Sequence, residues 1–202
     1  MSQEVTSTED EIFRAALRVF LRKGMDATRM QDIADEAGIS RTSLHYYYRN
    51  KERLYNSVFD HTLKRLFNEI AGTIVGDNQK SFRDMLEKFV ESYLSILGNN
   101  PNLPFFIMNE MQNNPEKVID RFRSFEGQIE TLERYFQTNL RDVGITYSWN
   151  HFLINLIAMC VFPYLARPML SEFLLEDDET FEELIDKRKA VIVNTLLPTQ
   201  HK

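Results

Sequence analysis

The chain has 202 residues, 43% of them apolar, and a formal net charge of −6. That size and apolar share give one compact domain or two small ones and exclude general disorder, while the single cysteine, Cys160, excludes an intramolecular disulfide and reads as a buried thiol in a reducing compartment. The acid excess argues against indiscriminate binding to polyanions, yet it is uneven: nine Lys/Arg face nine Asp/Glu through Tyr55, 15 face 21 beyond it, and four cations face one acid between Arg41 and Arg53.

Seven glycines and six prolines punctuate the sequence, and apolar residues recur at spacings of three and four, so the chain is expected to be helical throughout. The first helix starts at Thr8, whose hydroxyl and Glu11 match a capping box, and carries Ile12, Ala15, Ala16, Val19 and Phe20 as one stripe until Gly24 ends it. The second takes Thr28 as N-cap and Gln31 as its reciprocal partner, turns Met30, Ile33, Ala34 and Ala37 inward, and stops at Gly38. A third starts two residues later at the N-cap Ser40 and runs to about Tyr47, forming a helix-turn-helix with the second. Asn50 caps a longer fourth helix carrying Leu54, Val58, Phe59, Leu63, Leu66, Phe67 and Ile70.

Beyond "GTIVGDNQ", helices are predicted at 79–97, 103–112, 115–140, 147–166 and 179–196. The segment 147–166 is apolar nearly all round, which implies burial on both sides, whereas the last helix has one stripe of Phe181, Leu184, Ile185, Val191, Ile192 and Leu196. The longest apolar run, "FLINLIAMCVFPYLA" from Phe152, is too short to cross a bilayer and contains Asn155 and Pro163. The opening "MSQEVTSTEDE" lacks the basic flank and apolar stretch of a signal peptide, so a cytoplasmic protein without a membrane partner is expected.

At 100° per residue the third helix sorts its side chains. Leu44 and Tyr48 share one side and join a core with Ile39, Phe20 and Ile33. Thr42, Ser43 and Tyr46 project oppositely, His45 and Tyr47 flank them, and Arg41 lies on the first turn. A helix entered by a tight turn and presenting Arg, Thr, Ser, His and Tyr suits base edges and phosphates in a major groove.

The run "TRMQDIADEAGISRTSLHYYYRNKERL", preceded by "ALRVFLRKGMDA", resembles the N-terminal signature of the tetracycline-repressor (TetR) family of bacterial transcription regulators over about the first 55 residues. The resemblance implies an all-α fold with a three-helix helix-turn-helix DNA-binding domain, 1–52, and a larger helical ligand-binding and dimerisation domain, 53–202. It implies that Thr28 and Arg29 hold a phosphate, that Gln31 reaches the groove, that base contacts concentrate at Ser40, Arg41, Thr42 and Ser43, and that Tyr47 and Lys51 grip the backbone. Two positions depart from the family pattern: His45 stands where tyrosine is more frequent, and Tyr48 replaces the usual phenylalanine and adds a hydroxyl that needs a partner.

One recognition helix buries too little surface for a specific site, so pairing on half-sites is expected. Two copies each of 147–166 and 179–196 would form a four-helix bundle, with Trp149, Phe152, Leu153, Leu156, Ile157, Cys160, Phe181, Leu184, Ile185, Val191 and Ile192 at the interface. The middle of the chain is rich in large adaptable side chains, and Tyr93, Phe106, Met111, Phe122, Phe125 and Met159, with Asn109, Gln128 and Asn155 giving direction, are candidates for a pocket for a small, largely apolar effector. The expected function is a ligand-responsive regulator, a repressor, binding a palindromic double-stranded operator as a homodimer, with no cofactor or metal. The four histidines are too dispersed for a shared helical metal motif, and no nucleotide-binding or nucleophile-elbow motif occurs. An all-helical enzyme is the remoter alternative; a protein-interaction module with a vestigial helix-turn-helix, recruiting partners through "EDDETFEE", is the nearer one.

Overall fold

Helix α1 (Thr8–Ala27) forms as its stripe predicts: Ile12, Ala15, Ala16, Val19 and Phe20 are all buried, and each large side chain so removed from water stabilises the fold by about 1.5–3 kcal/mol. The helical geometry breaks at Gly24, whose φ of 75° a side chain would resist. The computed structural model describes residues 8–75, 81–175 and 179–197, and the chain divides into two compact units, Met1–Arg65 and Leu66–Lys202.

In the first unit α1 packs on α2 (Met30–Glu36), and α2 on α3 (Arg41–Tyr47). The turn between α2 and α3 is fixed by Gly38 at φ 68°: its N–H bonds the Asp35 carbonyl (3.2 Å) and the next N–H, of Ile39, reaches the Ala34 carbonyl (3.0 Å), a Schellman ending. Glu36 clips α2 to α1 through Arg18 (2.8 Å) and Arg22 (3.2 Å). Helix α4 (Lys51–Val75) opens with Asn50 accepting from the Arg53 N–H at 2.8 Å. Its first turns bury Leu54, Tyr55, Val58, Phe59 and Leu63, and Tyr55 meets Phe20 edge-on at 5.0 Å.

The second unit contains α5 (Phe82–Asn99), α6 (Leu103–Asn113), α7 (Pro115–Arg123), α8 (Glu126–Asp142), α9 (Trp149–Leu165), α10 (Arg167–Phe173) and α11 (Phe181–Leu196). Its core is aromatic: the ring of Phe136 lies 4.8 Å from Trp149, 5.6 Å from both Phe82 and Phe152, and 6.3 Å from Phe89. Helices α5, α9 and α11 pack mutually. A capping box starts α11, with the Glu183 N–H on Thr180 Oγ1 (3.2 Å) and the Thr180 N–H on Glu183 Oε2 (2.8 Å).

Two segments differ from the sequence expectation. The single helix 115–140 is two, because Ser124 donates its hydroxyl to the Arg121 carbonyl (2.6 Å) and the Phe125 N–H takes Phe122 (2.9 Å), tightening the chain out of the helical ladder. Helix α10 was not anticipated; Pro168 in its first turn has no N–H to lose there, and the chain bends 73° between α9 and α10. The expected helix start at 79 and the acids at 176–178 lie outside the described residues. Among the described residues no single helix is long and apolar enough to cross a membrane.

Candidate nucleic-acid interface

The candidate surface is built on Ser40. As N-cap of α3 its Oγ accepts the Ser43 N–H at 3.0 Å and lies 2.8 Å from Ser43 Oγ, which satisfies one of the free amides of the first turn. Leu44 is fully buried and Tyr48 is 9% exposed, so this side anchors α3. The hydroxyl of Tyr48 finds its partner in Glu9 Oε1, 2.9 Å away; burial first, then the Glu9 carboxylate, pushes the phenol well above its ordinary range. On the other side Arg41, Thr42, Ser43, His45, Tyr46 and Tyr47 are exposed. Tyr46 is 86% exposed and props against Tyr47 edge-on at 5.6 Å. A polar, aromatic-edged strip thus stands on an apolar footing, the sidedness that the 100° rotation predicts.

The entry to α2 departs from expectation at Thr28. Arg29, not Thr28, is the N-cap, and its N–H is held by Asp32 Oδ2 at 2.9 Å. This backbone bond first, and then Lys23 at 3.0 Å, hold the Asp32 carboxyl below the usual carboxylate range. Thr28 is 2% exposed and donates its hydroxyl to the Gly24 carbonyl (2.6 Å), at the break in α1. Arg29 and Gln31 are exposed, with Gln31 Nε2 donating to Asp35 Oδ1 at 2.7 Å. Lys51 is half-buried and donates to the Asp26 carbonyl at 3.2 Å, at the first position of α4.

Four contacts that shape this surface escape sequence reading: Glu9 to Tyr48, Arg18 to Glu36, Arg22 to Glu36, and Lys51 to Asp26. All join residues 14 to 39 positions apart, so no helical spacing signals them.

The model of the family described as "Bacterial regulatory proteins, tetR family" matches residues 12–58, the three helices just described and the start of α4. Residues 12–58 carry the tetR-family helix-turn-helix. The chain is similar to the "Probable HTH-type transcriptional regulator YttP" of Bacillus subtilis, 25% identical over 178 residues, spanning 83% of this chain and 82% of that one. It is similar also to the "HTH-type transcriptional repressor NicS" of Pseudomonas putida, 26% identical over 188 residues, 87% of this chain and 84% of NicS. Among solved structures, the regulator FadR of Bacillus subtilis, in complex with stearoyl-CoA, shares the fold with a TM-score of 0.68 at 15% identity over 95% of this chain and 98% of that one.

In the second unit the residues expected at a dimer interface divide. Trp149, Phe152, Leu156, Cys160, Phe181, Ile185 and Ile192 are buried within the protomer, because the aromatic core draws in the bulkier side of α9 and α11 packs that side against α5. Leu153, Ile157 and Leu184 are half-buried, and Val191 is 50% exposed. The outward apolar side of α9 is instead Ile154 (62% exposed), Ala158 and Phe162 (55%), at i, i+4 and i+8.

The nine pocket candidates divide by burial. Tyr93, Phe106 and Phe125 are buried and Phe122 and Met159 half-buried, but Asn109, Met111, Gln128 and Asn155 are exposed. On α6 the inward side carries Phe106 and Glu110, one turn apart, and Met111 falls about 140° round from Phe106. What the fold does assemble is a ring cluster of Phe67 on α4 with Phe122 (5.5 Å) and Phe125 (4.3 Å, stacked), and a buried Glu110 paired with Arg121 at 3.6 Å.

Proposed function

We infer that this protein binds a palindromic operator as a homodimer, represses the adjoining genes, and is released by a small, largely apolar effector. The observation that carries the reading is the exposed strip of Arg41, Thr42, Ser43 and Tyr46 on an α3 anchored from behind by Leu44 and Tyr48. Arg41 and Thr42 read base edges; Arg29, Tyr47 and Lys51 take phosphates, and Lys51 does so where a helix N-terminus already favours an anion. Residues 1–52 thus serve recognition and 53–202 serve effector binding and pairing, in the cytoplasm.

Pairing through Ile154, Ala158, Phe162, Leu184 and Val191 covers apolar surface that the protomer leaves in water. It sets two recognition helices about 34–36 Å apart, or a multiple of that, on one face of the duplex. The repressor name of NicS and the acyl-CoA bound by FadR support the repressing role and the apolar effector. Because α4 carries both Lys51 and the Phe67 of the ring cluster, an effector that repacks Phe67, Phe122 and Phe125 moves Lys51, and the operator is lost by the effector's differential affinity for the two states.

Selection of fragments from random DNA by the purified protein tests the reading. Enrichment of an inverted repeat is expected; recovery of unrelated sequences, or of single half-sites only, would overturn it.

A further inference from the structure

The second unit holds a groove of about 310 Å³ between α5, α11 and the junction of α9 with α10. Its α5 wall is one helical face, Glu91, Leu94, Ser95 and Gly98 at i, i+3, i+4 and i+7. The facing α11 runs antiparallel, since Arg83 meets Asn194 while Glu91 meets Lys189. From Glu91 to Gly98 the groove extends about 10 Å at 1.5 Å per residue. On α11 the lining residues Glu182, Asp186 and Lys189 lie about 150° round from the pairing side of Leu184 and Val191, so the groove is separate from the surface proposed for dimerisation. It also shares no residue with the ring cluster of Phe67, Phe122 and Phe125.

The floor is apolar and aromatic. Tyr164 and Phe181 are 4% and 5% exposed with ring centres 5.6 Å apart, and the Tyr164 hydroxyl is spent on the Leu94 carbonyl at 3.1 Å. Gly98 leaves the wall without a side chain where it nears Tyr164. The two ends differ in charge. At one, Arg167 lies 4.5 Å over the Phe181 ring and pairs with Glu182 at 3.0 Å, a neutral sum. At the other, Asp186 takes Lys189 at 2.8 Å, and Glu91, its side chain 68% exposed, stands 4.0 Å from the same ammonium, beyond hydrogen-bond reach. Two carboxylates therefore share one cation there, and a second cation completes the balance. An anion would meet three carboxylates and two cations already matched to nearer partners.

We propose that this groove binds a monocationic amphiphile, a slim aromatic or alkyl primary amine. Its ammonium sits at Glu91 and Asp186 and its apolar body lies along Leu94, Tyr164 and Phe181. The site is independent of the operator reading, and its test needs no DNA.

Calorimetric titration of the full-length protein with 2-phenylethylamine, and with phenylacetate as an anion of like size, decides the matter. Saturable binding of the amine at one site per protomer is expected, with none of phenylacetate. Glu91→Gln weakens the amine about tenfold by removing a charge-assisted hydrogen bond. Gly98→Leu abolishes binding by filling the groove while Gly98→Ala retains it; a Cβ at this helical position meets only the Tyr164 hydroxyl, at 3.7 Å, and circular dichroism verifies that both variants are folded. Absence of saturable amine binding, equal binding of the two probes, or wild-type titration by Gly98→Leu would each overturn the proposal.

Discussion

Tyr48, at the end of α3, donates its hydroxyl to Glu9 of α1 over 2.9 Å, joining residues 39 positions apart. The recognition helix is therefore pinned at its far end to the first helix. Tyr48→Phe keeps the ring, which packs edge-on to Phe13 at 5.9 Å, and removes only the bond, at a cost of about 1 kcal/mol near neutral pH. The phenol is raised above its ordinary value of 10.0 in the folded chain. Its contribution is therefore complete below pH 10 and is lost progressively as pH rises from there through the raised folded-state value. Urea midpoints of wild type and Tyr48→Phe are expected to differ at pH 8 and by less at pH 11; a gap that stays constant would show that this phenol does not titrate differently on unfolding.

Gly38 separates backbone strain from crowding. A Cβ there meets nothing within 4 Å, yet φ is +68°, so Gly38→Ala is expected to cost about 1–2 kcal/mol through the left-handed conformation alone. Thermal melting reads the loss. Gly38→Asn, which tolerates that region better, should recover part of it.

On DNA, Arg41→Ala and Thr42→Ala should each cost about 1–3 kcal/mol on the preferred site and relax base preference, whereas Lys51→Ala should weaken all sequences alike and lower the salt slope by about one. Gel-shift titrations over a salt series distinguish these outcomes. Since Lys51 also holds the Asp26 carbonyl at 3.2 Å, its replacement should lower the melting temperature too, which Thr42→Ala should not.

Local physics made the first unit legible. The stripe of Ile12 to Phe20, the glycine stops, the Ser40 cap and the sidedness of Leu44 and Tyr48 against Thr42 and Tyr46 all follow from spacing within one turn or two. A threonine three residues before Gln31 matches a capping pattern, while the carbonyl that takes its hydroxyl lies at the break at Gly24. In the second unit α9 offered apolar residues on every side, and periodicity could not say which side meets the aromatic core. The rings of Phe136 and Phe82 decide that, and they come from helices remote in sequence. Four of the pocket candidates face outward for the same reason: Met111 and Phe106 are alike in composition and differ only in azimuth.

The division of α9 yields a contrast. Ile154→Glu with Val191→Glu, both outward, should leave the fold intact and give monomers in sedimentation, with operator affinity reduced. Phe152→Ala, wholly buried, should cost about 3–5 kcal/mol in stability. If the double variant stays dimeric, pairing lies elsewhere.

Cys160 is fully buried, and burial pushes its thiol up to about 12. Little thiolate forms at neutral pH, so alkylation by iodoacetamide should track global unfolding in urea. Fast labelling of the native protein would contradict the buried placement.

The outward apolar side of α9 and α11 shares no residue with α3, and this separation has a genetic consequence. Under the pairing and operator contacts proposed above, an allele altered only at Arg41 and Thr42 still yields chains able to pair, and a mixed pair holds one blind half; such an allele should be dominant over the normal gene in the same cell. An allele altered at Ile154 and Val191 makes chains that join no one, and it should be recessive.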